Sequence, residues 1–274
     1  MPAQPAPELS GLLAALGLGE MPLGLFYSDT PPAQGLRPEP LERPTREREM
    51  AGQINWGAVF GGFSCAMGHI WRARRKHTAA WFSADHYGCA GAAFWLGFIK
   101  PQTETIVHYV SSGIPGHLEG EHYLATPSQC RGLFELADPR PAARPYLVLK
   151  PLDLLEPGEE PELVTFFTRP ESLTGLFTLA TYVTGRAEAV RAPFSAACGA
   201  LAAWPLHYLA QGHDRVAVLG GLDPSARQFF RADELSFTVS RDLYDQMLEA
   251  WPRSFLARKT WRVVKKKAVS REAR

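Results

Sequence analysis

The apolar positions of the chain alternate between two periods. Pro22-Leu-Gly-Leu-Phe-Tyr27, Thr78–Ala84, Thr105–Val110, Pro145–Lys150, Leu163–Phe167, Arg215–Leu219 and Leu235–Val239 are short apolar or alternating runs, and each reads as a strand. Between them lie runs of helical period. Leu9–Leu18 is a short apolar helix candidate. The run after Cys65 ends in Arg72-Ala-Arg-Arg-Lys76, a charge that suits the negative end of a helix dipole. Cys89 opens another apolar helix. Thr126-Pro-Ser-Gln129 and Thr168-Arg-Pro-Glu171 both have the form of a capping box with proline in the first turn. The first would put Cys130, Leu133 and Phe134 on one face. The second would put Leu173, Leu176, Phe177 and Ala180 on one face, closed by Gly185. Ser195 opens a segment running through Cys198 to Gln211, and Ser240 is placed to cap a helix bearing Leu243, Tyr244, Met247 and Leu248.

Strands alternating with helices predict an α/β (mixed α+β) protein, a single domain with a mixed sheet and surrounding helices. The 274 residues suffice for one large core. Residues 1–50 hold the N-terminal helix, the first strand and an arm with five prolines between positions 30 and 50. Residues 51–257 form the cysteine-bearing core, and 258–274 a basic helix or tail expected to be solvated. A short echo runs through the core. Phe63-Ser64-Cys65, helix and strand 78–84 resemble Phe194-Ser195-Ala-Ala-Cys198, helix and strand 215–219, so two pseudo-repeated halves are expected.

Charge narrows the partners. A net charge of +1 gives no general field for nucleic acid or anionic lipid, so the expected partner is a small-molecule substrate or a redox partner protein. The longest apolar stretches are too short to span a bilayer. No Lys or Arg precedes Arg37, so the pattern of a secretory leader is not seen. Four cysteines in a chain of this length do not read as a disulfide framework, and reduced thiols in a cytoplasm are expected.

The candidate chemistry lies in three of those cysteines. Cys65 follows Ser64, Cys198 follows Ser195 by three, and Cys89 opens a helix, so each is expected in a first helical turn. There free amides and the dipole favour thiolate, the form that binds metal or attacks electrophiles. Cysteine also serves as a small core hydrophobe, and Cys130 is assigned that role. Asp85-His86, just before Cys89, offers an imidazole ligand or base with an orienting carboxylate, or else a plain capping turn. His117-Leu-Glu-Gly-Glu-His122 gathers two imidazoles and two carboxylates in a loop. His207 and His213 read as a surface pair at a helix end. Gly220-Gly-Leu-Asp-Pro-Ser225 is a candidate anion cradle, while Phe94, Trp95 and Phe98 read as core.

Cys65 with its basic helix, Ser83-Ala-Asp-His-Tyr-Gly-Cys89-Ala-Gly91, Ser195-Ala-Ala-Cys198-Gly and Asp233-Glu-Leu-Ser-Phe237 together resemble the uncharacterised family called domain of unknown function 169. The resemblance runs from the strand at Pro22–Tyr27 to the helix after Ser240. It implies cysteines matching Cys65, Cys89 and Cys198, and in many members a fourth near Gly220–Gly221 that this chain lacks. The family's Cys-Pro-Gly-Gly is Cys89-Ala-Gly-Ala92 here.

Four thiolates would close a structural site, whereas three leave one position open. The expectation is a cysteine-ligated iron–sulfur cluster, with zinc second and a metal-free thiol pair third, in a redox or lyase-type enzyme acting on a small molecule. Cys65, Cys89 and Cys198 would be the ligands, with Asp85 and His86 beside them and Gly91, Gly220 and Gly221 giving close backbone approach. The alternative is a metal-free ligand-binding or regulatory module whose cysteines are core residues or sensors.

Overall fold

The computed structural model describes residues 7–272; the prolines at positions 2 and 5 and the last two residues of the tail lie outside that range. Seven strands form one mixed sheet: β1 (Leu23–Ser28), β2 (Ala80–Ser83), β3 (Tyr146–Pro151), β4 (Leu163–Thr168), β5 (Val190–Arg191), β6 (Ala217–Gly220) and β7 (Leu235–Ser240). Their spatial order is β2-β3-β1-β4-β7-β6-β5, and every pairing is antiparallel except β5 with β6.

That order carries the two halves. Outward from the central β1–β4 pair, the first half runs β1, β3, β2 and the second β4, β7, β6. Register follows the same rule, because Leu23 opposes Pro151 while Leu163 opposes Ser240. In each half the chain leaves the central strand, builds helices, lays down the outer strand and returns between the two.

Helices cover both faces. β4 alternates, with Leu163 and Phe167 on one face and Val164 and Phe166 on the other, all buried. The first face carries α4 (Ala66–Lys76), α5 (Ala90–Trp95), α6 (Glu104–Val110), α7 (Pro127–Ala137), α9 (Ala197–Leu201) and α10 (Ala203–Ala210). The second carries α1 (Pro7–Leu16), α8 (Pro170–Thr184), α11 (Arg241–Ala250) and α12 (Lys259–Glu272). Arg74 of α4 fastens the halves together. Its guanidinium bonds Glu20 and Glu234, both at 2.8 Å, and lies 3.6 Å over the Phe167 ring.

The proline-rich arm, with its short helices α2 (Arg46–Met50) and α3 (Trp56–Gly61), covers a sheet edge. Leu36 exchanges backbone bonds with Ala79 and Trp81 beside β2, which satisfies an edge that would otherwise be open.

Several local expectations are corrected. Thr105–Val110 is not a strand but most of α6. The Glu49 carboxylate, brought in by the arm, accepts the first amides of that helix from Glu104 (2.8 Å) and Thr105 (2.9 Å), and this distant cap overrides the β-branched run. The Thr126 capping box forms as expected, but Thr168 remains paired in β4 and α8 starts at Pro170 without a side-chain cap. Ser240 spends its hydroxyl on Val216 N and Asp214 O rather than on α11. The Ser195–Gln211 segment breaks at Ala202 into α9 and α10. The tail is anchored, because Trp261 is buried and its indole N–H donates to Ala15 O at 2.7 Å.

Candidate functional site

Cys65 is the N-cap of α4, Cys89 the N-cap of α5, and Cys198 the second residue of α9. All three line one cavity of about 730 Å³ on the first face of the sheet. Cys130 lies apart, fully buried in the apolar core and absent from the cavity wall.

The backbone explains the convergence. Ser64 N–H donates to Gly88 O at 2.9 Å, so the turn carrying Cys65 rests on the turn carrying Cys89. Gly88 permits this through a φ of +84°, and a β-carbon there would stand 2.5 Å from Ser64 O. Cys198 arrives from the other half. Asp223, just after β6, accepts the Ala197 amide at 3.2 Å and so holds the first turn of α9. Its other partners are Ser225 N (3.0 Å) and Ser225 Oγ (2.9 Å). Asp223 itself lines the cavity and is 4% exposed. It follows the outer strand of its half as Cys89 follows β2, so the two halves contribute Cys65 with Cys89 and Cys198 with Asp223.

Electrostatics correct the expectation of easily ionised thiols. Amides do point at the sulfurs, those of Met67 and Gly68 at Cys65 and those of Gly91 and Ala92 at Cys89. Burial outweighs them. It pushes the Cys65 thiol up, the Cys89 thiol up to about 12 and the Cys198 thiol well up. Each thiolate also repels its neighbours, Cys65 and Cys89 both acting on Cys198, and the Asp223 carboxylate opposes all three. Without a bound cation these are neutral thiols.

Aromatic side chains recur in the wall around them, among them Phe60, Trp71, Trp95, Tyr109, Phe134 and Phe229. Trp95 therefore faces the cavity as well as packing in the core, whereas Phe94 is core alone. His69 lies on the stripe of α4 that runs from Cys65 through His69 to Arg72. Its Nε2 is 3.1 Å from Ser64 Oγ. Burial first, and then the Arg72 charge, hold the His69 pKa down to about 4, so its ring is neutral at neutral pH. From the His117–His122 loop only Glu121 reaches the cavity, where it accepts the hydroxyls of Tyr109 (2.6 Å) and Tyr123 (2.7 Å); both imidazoles are exposed.

Other expected residues stand elsewhere. Asp85 is exposed and 3.8 Å from Arg43, and His86 Nδ1 bonds Pro38 O at 2.9 Å, so both serve the arm and neither lines the cavity. Gly91 does line it. Gly220 and Gly221 do not. Gly220 is pressed between Ala200 and Ser236, and a β-carbon on Gly221 would face Phe230 at 2.9 Å. The cradle they were expected to form is filled by the Asp223 side chain instead. His207 Nε2 accepts from Gln211 Nε2 at 2.9 Å, and His213 stands 3.4 Å from Arg191, both away from the thiols. Sequence reading passed over Asp223, His69, Arg72 and Tyr109. The i, i+4, i+7 spacing from Cys65 was the available signal for His69 and Arg72.

Among the described residues no three His, Cys, Asp or Glu side chains converge to hold a single metal ion, so the donor set does not fit zinc. It is three thiols sharing a wall rather than a point. No described helix is long and apolar enough to cross a membrane.

Sheet and site thus define a two-halved α/β protein with a thiol-walled apolar cavity. The chain belongs to the family described as domain of unknown function 169, uncharacterised ArCR, whose model matches residues 11–250. No curated protein and no solved structure matches it.

Proposed function

We propose that the protein is a small-molecule enzyme of redox or lyase type, in which Cys65, Cys89 and Cys198 hold an iron–sulfur cluster in the wall of the substrate cavity. One observation carries this reading: thiols from three separate helix N-termini, in both halves of the fold, line the same cavity. Two features support it. Desolvated thiols that repel one another as thiolates gain most from a shared cationic group. Ligands of a cluster are also spread around several iron atoms, so a shared wall suits it where a single ion needs a shared point. When bound, such a cluster supplies electron transfer or, at an iron without thiolate, Lewis acidity. The chain's own residues bind the substrate against aromatic walls, exclude water, and present the Ser64 hydroxyl with neutral His69 beside Cys65.

The test is iron and acid-labile sulfide in protein purified without oxygen, together with visible absorption. Equal iron and sulfide with a broad visible band is the expected result. Colourless, iron-free protein from iron-replete cells would favour the second reading, a metal-free binding module, for which the raised thiol pKa values and the apolar lining already speak.

A further inference from the structure

The charged groups of the cavity wall differ in how fully they are partnered. Its two carboxylates are satisfied from within, Glu121 by two tyrosine hydroxyls and Asp223 by Ala197 and Ser225. Arg72 is the one Lys or Arg among the described lining residues, and no described carboxylate lies within ion-pair distance of it. Its guanidinium donates only to Gly68 O at 3.2 Å and to the neutral His69 ring at 3.0 Å. A guanidinium presents five donors and suits an anion bound in its plane. Two phenyl groups also stand exposed on the wall, Phe63 at 51% and Phe194 at 40%, each two residues ahead of the N-cap of its helix, α4 or α9. Exposed phenyls and the exposed Arg72 mark the rim, and the half-buried Cys65 and Cys89 with the buried Cys198 lie further in.

From this we propose that the cavity binds a planar aromatic molecule bearing one anionic group, its rings between the aromatic walls and its anion on Arg72. Aromatic side chains recur around the wall, Trp95, Tyr109 and Phe134 among them, so a flat ligand finds more ring contacts there than a flexible chain of equal apolar area. The volume of about 730 Å³ lies within the range of small-molecule pockets and admits more than one ring. The proposal rests on the cavity being the substrate site and is independent of what the thiols hold.

The experiment is calorimetric titration of the full chain with 2-naphthoate, 2-naphthamide and decanoate, on preparations of measured iron content. Naphthoate should bind, the neutral amide about tenfold more weakly and decanoate more weakly still. Arg72→Gln should weaken naphthoate about tenfold and leave the amide unchanged, with Arg72→Lys recovering part of the loss. Phe63→Ser and Phe194→Ser, both at exposed positions, should weaken naphthoate and amide alike. Equal binding of naphthoate and amide, an unchanged Arg72→Gln, or decanoate binding best would overturn the proposal. Iron-free protein that binds naphthoate in this pattern removes the cluster and leaves the ligand class standing. Iron-loaded protein that binds none of the probes does the reverse.

Discussion

The amide of Ser64 donates to the carbonyl of Gly88 at 2.9 Å, and through that bond two of the three cavity thiols are held side by side. Cys65 and Cys89 adjoin these residues on separate helices, so their proximity is set by backbone rather than by side-chain packing.

Gly88→Ala tests that dependence. The position has φ +84°, and the added methyl would press on Ser64 O. The strained conformation costs about 1–3 kcal/mol. Urea denaturation should show a loss of that size, and the iron content of anaerobic protein should fall with it. Unchanged stability would mean that the two turns separate without cost.

Two cysteine substitutions should part company. Cys198→Ser replaces a soft sulfur donor with a poor one, so iron should be lost while the fold persists. Cys130→Ser puts a hydroxyl among apolar side chains and should destabilise by roughly 1–3 kcal/mol, yet keep iron. Metal analysis and denaturation of both proteins check this, and iron retained in Cys198→Ser would remove that residue from the ligand set.

Much of this was legible in the chain. Six of the seven strand positions follow from short apolar runs, and the echo between the Cys65 and Cys198 segments matches the mirrored strand order. The three thiols were readable as helix-terminal residues for the same local reason. What failed depended on distant partners. α6 needs the Glu49 carboxylate from 55 positions away, and Trp261 needs Ala15 at the other end of the chain. His86 looked like a neighbour of Cys89, but the arm claims it through Pro38. Asp223 was hidden among glycines read for their backbone, and only the return of β6 beside β7 turns its carboxylate toward Cys198.

Asp223→Ala should expose that role. It strips the buried Ala197 amide of its acceptor, a loss of about 1–3 kcal/mol. It also frees the first turn of α9, so iron content should drop although no thiol is changed. Asp223→Asn keeps an oxygen for the amide and should recover most of the stability. Full iron content in Asp223→Ala would show that Cys198 holds its place without this cap.

The last prediction concerns alkaline pH. In metal-free protein the Cys89 thiol, pushed up to about 12 by burial and then by Cys65, keeps its proton in a range where the unfolded chain, near 9.0, has released it. Over that interval the folded state binds more protons, so each rise in pH favours unfolding. The stability from this thiol is whole below about pH 9 and is lost progressively as pH climbs toward 12. Tyr87, also raised to about 12, adds a loss of the same sign, so the measurement must compare variants. Chemical denaturation of wild-type and Cys89→Ala protein between these limits should give a shallower decline for the variant. Iodoacetamide should also label the native thiols slowly at neutral pH, because thiolate is the reacting form. Anaerobic protein retaining its cluster should lose the Cys89 part of the alkaline decline, since ligating thiols are already ionised. Identical slopes for wild type and Cys89→Ala in metal-free protein would show that the thiol is not desolvated as the cavity places it.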